Sequence, residues 1–478
     1  MKLDAPYTLV DFTAGVIDDL SVSDSLLPRN AVRKGMNVMF DRPRGSVTQR
    51  LGTTQLGTTV SAGNTITGLH NFRSSTTANH QLLASATTAI YNLSGGVWGA
   101  TVSGLTTGLK TRFLTYLDAV VFLNGTDAPQ SWTGTGAWLA GGGNLDVANM
   151  QRGRYAAVLN TRMQVTGVTA NPDTVYESSL EASGAISWTS GNRNFRVNPN
   201  DGNGNITSIK SNGKLSLIFK ERGMYRYDGN ELQHIANIGT PSHESVVNDD
   251  NGITYFFGTG ANGVGFYRTS AGYPSKISRF ITRWTEAIAP SFYGDVSGLT
   301  NGQKIFWSVG SVSVNDITYS NAWYVWNIAD ETMELRNYQD RFRVFSSYID
   351  GSGNLTVVGG DADGMVQTIN SGNTDNGSAI NSECEFGPLY FTTRGRTKVV
   401  NEIITYAEHF QGLKLHLKVG GGRYKEIGPI NETEKIFSNI EKFRGKAFHL
   451  KITAVNSGTP FKLDGFEFND LDDEGYGK

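Results

Sequence analysis

The sequence contains one cysteine, Cys384, so no internal disulfide can form and a disulfide-stapled secreted domain is excluded. A lone free Cys usually behaves as a small buried apolar side chain, and nothing near Cys384 reads as a base that would activate it. Proline is scarce, 12 in 478 residues, which argues against Pro-rich disorder. Neither charge sign dominates, with 42 Lys and Arg against 44 Asp and Glu. No basic excess therefore points to tight nucleic-acid binding or to a membrane surface. No apolar run approaches ~20 residues, the length a membrane helix needs, and no membrane insertion is expected. The opening MKLDAPYTLVDF has neither the apolar core nor the cleavage site of a signal peptide. The seven His residues (70, 80, 234, 243, 409, 416 and 449) show no HxH or HExxH spacing, so zinc hydrolysis is unsupported. No GxSxG elbow occurs.

What the chain has is glycine and aromatics: 57 Gly, and 11% Phe, Trp and Tyr, within only 38% hydrophobic residues. With abundant Ser, Thr and Asn this composition reads as many tight turns and an all-β chain. The stretch Leu215 to Gly229 samples the pattern. Leu215, Leu217 and Phe219 alternate with Ser216, Ile218 and Lys220, as in a half-buried strand. Gly223 suits the left-handed position of a three-residue hairpin loop, and Asp228-Gly229 signals the next reversal. Tyr225 and Tyr227 share one face of the return strand.

Comparable units begin at His80, Asp118, Arg154, Leu215, Gly252, Gln303 and Asn354. Their matching points, Tyr91, Trp132, Tyr176, Tyr227, Tyr267, Trp326 and Gln367, recur at ~40–50 residues, the period of a four-stranded propeller blade. Asn-Gly or Asp-Gly pairs start at residues 124, 201, 212, 228, 251, 262, 301, 350, 363, 376 and 464 and supply the positive φ that two-residue hairpins need. Uneven gaps suggest insertions near Asn171 to Asn205 and Glu286 to Ser320. The expected fold is all-β: a β-propeller of six to seven blades over 63–377, an extended N-terminal arm over 1–62, and a C-terminal β-sandwich-like region over 378–468. A mobile acidic tail is expected over 469–478. Within the arm, a short helix is expected from Pro28 through Val38. Phe40 to Gly52, carrying Arg42, Arg44 and Arg50, reads as a solvated basic loop or as an arm lying on a neighbouring subunit.

No motif assigns a catalytic, cofactor-binding or metal site. Gly258 to Gly263, GTGANG, has GxGxxG spacing, but VGFYRTS follows where a dinucleotide site needs a helix. Asp201 to Asn205, DGNGN, begins like a calcium loop, but position 12 would be Asn212 rather than Glu. The turns Gly96-Val97-Trp98 and Gly136-Ala137-Trp138 lack the Asp of a sialidase Asp-box and suit blade-packing aromatics. Asp18-Asp19, Asp249-Asp250 and Asp472-Asp473 are adjacent pairs, whereas a glycosidase needs carboxyls facing each other across a cleft. The reading is therefore not an enzyme, with no cofactor. A propeller enzyme or lectin acting on glycans is the alternative.

Several segments, in order, resemble those of β-propeller tail proteins of tailed bacteriophages, the tail-nozzle and head-completion type. They are TAGVIDD (Thr13 to Asp19), RGSVTQRLG (Arg44 to Gly52), IFKERGMYRYDG (Ile218 to Gly229), GTPSHES (Gly239 to Ser245), KISRFI (Lys276 to Ile281), RGKAFHLKI (Arg444 to Ile452) and SGTPFKLDGFEF (Ser457 to Phe468). Arg283 to Asn376 carries no matching segment. The resemblance implies a virion protein assembled in the host cytoplasm. It implies a homo-oligomeric ring, a hexamer, attached to a portal or adaptor ring and other tail proteins. Packaged double-stranded DNA would be retained behind that ring and leave through its lumen without sequence-specific binding. A near-neutral chain suits a conduit, because each phosphate contact adds affinity.

Overall fold

The computed structural model describes residues 6–18, 28, 30–41, 45–75, 80–141, 143–349, 353–391, 396–438, 440 and 443–474. Strands dominate, and six small sheets form a ring, the arrangement of a six-blade β-propeller. The first sheet runs Ile66–Arg73, His80–Ala86, Ala89–Ser94 and Val97–Val102. The second runs Arg112–Tyr116, Ala119–Leu123 and Ser131–Trp132; the third runs Tyr155–Leu159, Arg162–Val168, Asn171–Glu177 and Arg193–Arg196. The fourth holds Ile206–Asn212, Leu215–Lys220, Met224–Tyr227 and Leu232–Ala236. The fifth is built around the Thr254–Gly260 and Gly265–Thr269 hairpin, and the last contains Phe342–Ile349, Leu355–Asp361 and Val366–Ile369. First strands touch from the last sheet through the first, second and third to the fourth, and the turn His243–Ser245 and the strand Ser297–Thr300 complete the circuit back to Phe342–Ile349. Between the fifth and last sheets stands a further meander, Ser297–Thr300, Lys304–Val314, Ile317–Asn327 and Thr332–Asn337, which continues into a nine-stranded sheet.

Burial explains the ring. A lone antiparallel sheet leaves two apolar faces wet, and stacking covers them. Separate apolar clusters fill the joints: Phe72, Ile90, Val120, Phe122 and Trp132 between the first and second sheets, and Ile209, Ile218, Tyr225, Ala157 and Val175 between the third and fourth. Leu299, Trp323, Val325, Phe342 and Val357 join the meander to the last sheet.

The hairpin at Leu215 forms as expected, with Ser216 opposite Tyr227 and Phe219 opposite Met224. Tyr225 and Tyr227 bury in one cluster. Gly223 is not left-handed, however. It packs against Asn203, whose side-chain amide would meet a Cβ at 2.7 Å and would have to shift for any larger residue. The Asn-Gly and Asp-Gly pairs starting at 124, 201, 212, 228, 251, 262, 301, 363 and 376 do place Gly at positive φ. The pair at 464 lies inside the strand Lys462–Glu474, and Gly465 there accommodates Val10 and Leu9; residues 350–352 lie outside the described residues.

The N-terminal segment is woven into the body, which corrects the reading of 1–62 as an arm. Tyr7–Val10 pairs with Lys462–Glu474. Val32–Met36 is a strand between Thr332–Asn337 and Ile380–Leu389 rather than part of a helix; Gly35 is a poor helix residue, and Val32 and Met36 bury in the shared core. Thr53–Gln55 pairs with Val366–Ile369 and becomes the fourth strand of the last sheet. One end of the chain thus closes a ring that the rest of it builds. Gly52 permits this, because a Cβ there would lie 1.8 Å from the Thr374 carbonyl oxygen.

The C-terminal region is β-sandwich-like, but it recruits N-terminal strands. One face is the end of the nine-stranded sheet, Val32–Met36, Ile380–Leu389, Phe448–Asn456, Lys414–Val419 and Lys425–Pro429. The other contains Val38–Asp41, Ser46–Gln49, Lys462–Glu474, Thr397–Glu408 and Glu434–Phe437. Phe386, Phe448, Leu450, Phe466 and Phe468 share the core between them. The segment read as an acidic tail is strand through Glu474, in register opposite Thr397.

Candidate functional site

The first strands of the ring carry alternating polar residues, and these converge on the propeller axis. Arg112 begins the second sheet, and its Nε lies 2.7 Å from the Glu244 carboxylate. Glu244 sits in the 3₁₀ turn His243–Ser245 that precedes the inner strand of the fifth sheet. Lys110 stands between two acids, 3.6 Å from Glu244 and 3.3 Å from Asp295, and donates to the Gly294 carbonyl. Arg341 and Arg343 also reach Asp295, at 3.1 and 3.2 Å. Acids and bases on separate sheets are thus pinned across the axis. Each pair is partly exposed and individually weak, but a connected network holds its members better than isolated pairs do.

Aromatic and imidazole rings line the same space. The Arg112 guanidinium lies over the Tyr155 ring at 4.7 Å, and Tyr155 packs against His243 at 4.9 Å. His243 Nδ1 is 2.9 Å from Ser208 Oγ. His70 stacks on Phe113 and reaches Thr115 Oγ1 at 2.7 Å. Burial, then the charge of Lys210, pushes His70 down to about 4. Burial and the same lysine drive His243 well below the usual imidazole range. Glu244 loses hydration, but Arg112 and Lys110 outweigh that and hold its carboxyl well below the usual range. The axis is therefore a set of charged pins around neutral imidazoles. A duplex cannot thread it, since ion pairs cross it.

The structure disperses the residues singled out in the sequence. Gly258 to Gly263 is the loop between Thr254–Gly260 and Gly265–Thr269, a hairpin. Asp201 accepts from Tyr225 Oη, from Lys220 Nζ at 3.1 Å and from Asn203 N–H at 3.0 Å. Burial raises its pKa, but the Tyr225, Asn203 and Lys220 hydrogen bonds together bring it down to about 2. Its carboxylate thus holds the fully buried Lys220. No cluster of three or more His, Cys, Asp or Glu that could hold a metal occurs among the described residues. Trp98 donates to the Leu56 carbonyl, and Trp138 stacks on Trp132 at 5.6 Å, both in blade packing. Asp249 caps its own turn through the N–H groups of Asn251 and Ile253. Asp18 accepts from the Trp284 indole at 2.9 Å. Asp19 and the side chains of Asp472 and Asp473 lie outside the described residues. Cys384 is buried.

Arg50 is not in a solvated loop. It is fully buried, with a bidentate contact to Asp375 at 2.7 and 2.6 Å. It also donates to Asn37 Oδ1 and to the Leu51 and Asn337 carbonyls, beneath the Tyr338 ring. Arg42 and Arg44 lie outside the described residues. Sequence reasoning missed the axial set Lys110, Arg112, Lys210, Glu244, Asp295, Arg341 and Arg343. The available signal was a polar residue in or beside the first strand of each repeat, at an offset the uneven period obscured.

No protein-family model and no curated protein matches the chain. Among solved structures, it is similar to the extracellular domain of a one-component system from B. thetaiotaomicron, at 11% identity and a TM-score of 0.40, over 87% of this chain and 58% of that one. It is similar to the extracellular domain of a hybrid two-component system from the same organism, at 12% identity and a TM-score of 0.40, over 87% and 59%. A third is Saccharomyces cerevisiae Sqt1, at 8% identity and a TM-score of 0.38, over 67% of this chain and 98% of that one. The chain thus spans under two thirds of the first two structures.

Proposed function

We propose that the chain is a structural virion protein of a tailed phage, a ring-forming tail nozzle or head-completion component that retains packaged DNA and forms the conduit for its ejection. One observation supports the reading: three of the segments that resemble phage tail propellers fall where parts of this fold are joined. Arg50 and Gly52, in the second segment, sit where the N-terminal chain closes the last sheet. Gly239 to Ser245 carries Glu244 into the axial pins. Ser457 to Phe468 enters the long strand that receives the N-terminal segment. The resemblance thus lies in what shapes the body. A conduit would be the hole of a ring of copies, because the propeller axis is crossed by ion pairs. Such a ring needs head-to-tail contacts that close, six copies by the resemblance.

Negative-stain electron microscopy of the purified protein tests this. Rings of fixed order are the expected result. Monomers at every concentration that cleave or bind glycans would overturn it and favour the propeller enzyme or lectin.

A further inference from the structure

Of the charged axial residues, Lys210 alone stands outside the ion pairs. Its neighbours on the same face of the strand Ile206–Asn212 look toward the fifth sheet. Ser208 reaches His243, and Asn212 donates to the Gly252 carbonyl and to Thr254. Strand alternation puts Lys210 between them. Its charge acts on His243, and also on His70 of the first sheet, which stands opposite the fourth in a ring of six. The side chain therefore reaches into the axis. There it is half-buried, so water reaches it.

Nothing neutralises it. Among the described residues Lys210 has no hydrogen bond or ion pair. Burial lowers its pKa, Glu244 opposes that shift, and Arg112 adds to it. Glu244 is already shared between Arg112 and Lys110, and Asp295 among Lys110, Arg341 and Arg343. Five basic side chains thus meet two carboxylates, and without Lys210 four still meet two. His70 and His243 are neutral and change neither count. Asp340 and Asp361 are held by Gln367. Asp361 is the register partner of Phe342, so that group sits on the face away from Arg343. Arg343 Nε is buried and also lacks an acceptor. Charges held inside a fold are normally paired, and a cleft lined by one sign focuses its field on ions of the other.

We propose that the propeller axis binds a small multivalent oxyanion, phosphate or polycarboxylate, seated on Lys210 beside Arg112. The excess of positive charge favours an anion of two or more charges, and the ion pairs that cross the axis keep the ligand small. The site lies within one chain, so it does not depend on whether copies form a ring.

Isothermal titration calorimetry on the whole protein, in a constant chloride background, tests this with inorganic phosphate and citrate as probes and acetate as the singly charged comparison. The expected result is saturable binding of phosphate, citrate or both, and none of acetate over the same range. Phosphate alone points to a phosphoryl ligand, citrate alone to a polycarboxylate, and both to a site that reads charge. Lys210→Met should weaken that binding by at least about tenfold, the value of a charge-assisted hydrogen bond. It should leave the ligand-free Tm at or above that of the parent, since it removes an unpaired charge. Lys210→Gln repeats the test with a polar replacement. Lys214→Met, on the exposed turn of the same hairpin, should leave binding unchanged. Absence of saturable binding by both phosphate and citrate, equal binding of acetate, or binding untouched by either Lys210 variant would overturn the proposal.

Discussion

Replacing Arg50 by Ala should cost more stability than any surface change. The guanidinium is fully buried and its partner Asp375 is nearly so. Truncation leaves the Asp375 carboxylate with the Gln339 N–H, 3.1 Å from Oδ2, as a remaining donor. It also strips the Leu51 and Asn337 carbonyls of the donors that Arg50 supplied. Breaking a buried ion pair by removing one partner costs about 3–5 kcal/mol, because the other charge is left uncompensated. The pair also joins the N-terminal chain, the meander and the segment after the last sheet, so the loss acts on ring closure. Unfolding entropy scales at about 2.1 cal/mol/K per residue, so a chain of 478 residues unfolding as one unit loses roughly 1 °C of Tm per kcal/mol. Arg50→Ala should therefore lower Tm by about 3–5 °C, and by more if the propeller melts separately. Arg50→Met combined with Asp375→Asn should recover part of the loss, since the orphaned charge is gone. Calorimetry of the three proteins checks this. A single-variant shift under about 1 °C, or no recovery in the double variant, would refute the reasoning.

Other outcomes follow from the same geometry. His70 and His449, each held down to about 4, and His243, held well below the usual imidazole range, are neutral in the fold. The unfolded chain takes up their protons first, so stability is full above pH ~6.5 and falls as pH drops from there toward 4. Tm against pH should show that fall above the carboxylate range, and His70→Gln should blunt it. Gly52→Val would drive a side chain into the Thr374 carbonyl. It should release Thr53–Gln55 from the last sheet, seen as faster proteolysis near residue 55. Cys384 is buried, and burial with Glu385 and Glu383 raises its thiol well above the usual range. A thiol reagent should label it only in denaturant.

The blades were legible because their signals are local. Period-2 apolar strands and Asn-Gly or Asp-Gly turns specify each hairpin without its neighbours, and the Leu215 hairpin has the register its pattern implies. The weaving of the N-terminal segment was not legible. Val32–Met36 has mixed local preference, and its strand state is fixed by pairing with residues some 350 positions away, which overrides propensity. Arg50 shows the same limit. A basic residue among Pro and Gly reads as solvated until Asp375 is brought beside it. The axial pins failed for another reason: their members are ordinary Lys, Arg and Glu, and only ring closure gathers them.

The central claim is that this chain contributes shape to a closed ring of copies. Native mass spectrometry of the purified protein tests it most directly. The account predicts one dominant assembly of six 51.9 kDa chains, with a central hole in images of the same sample. A monomer that persists at every concentration, or an open series of sizes with no closed species, would contradict it.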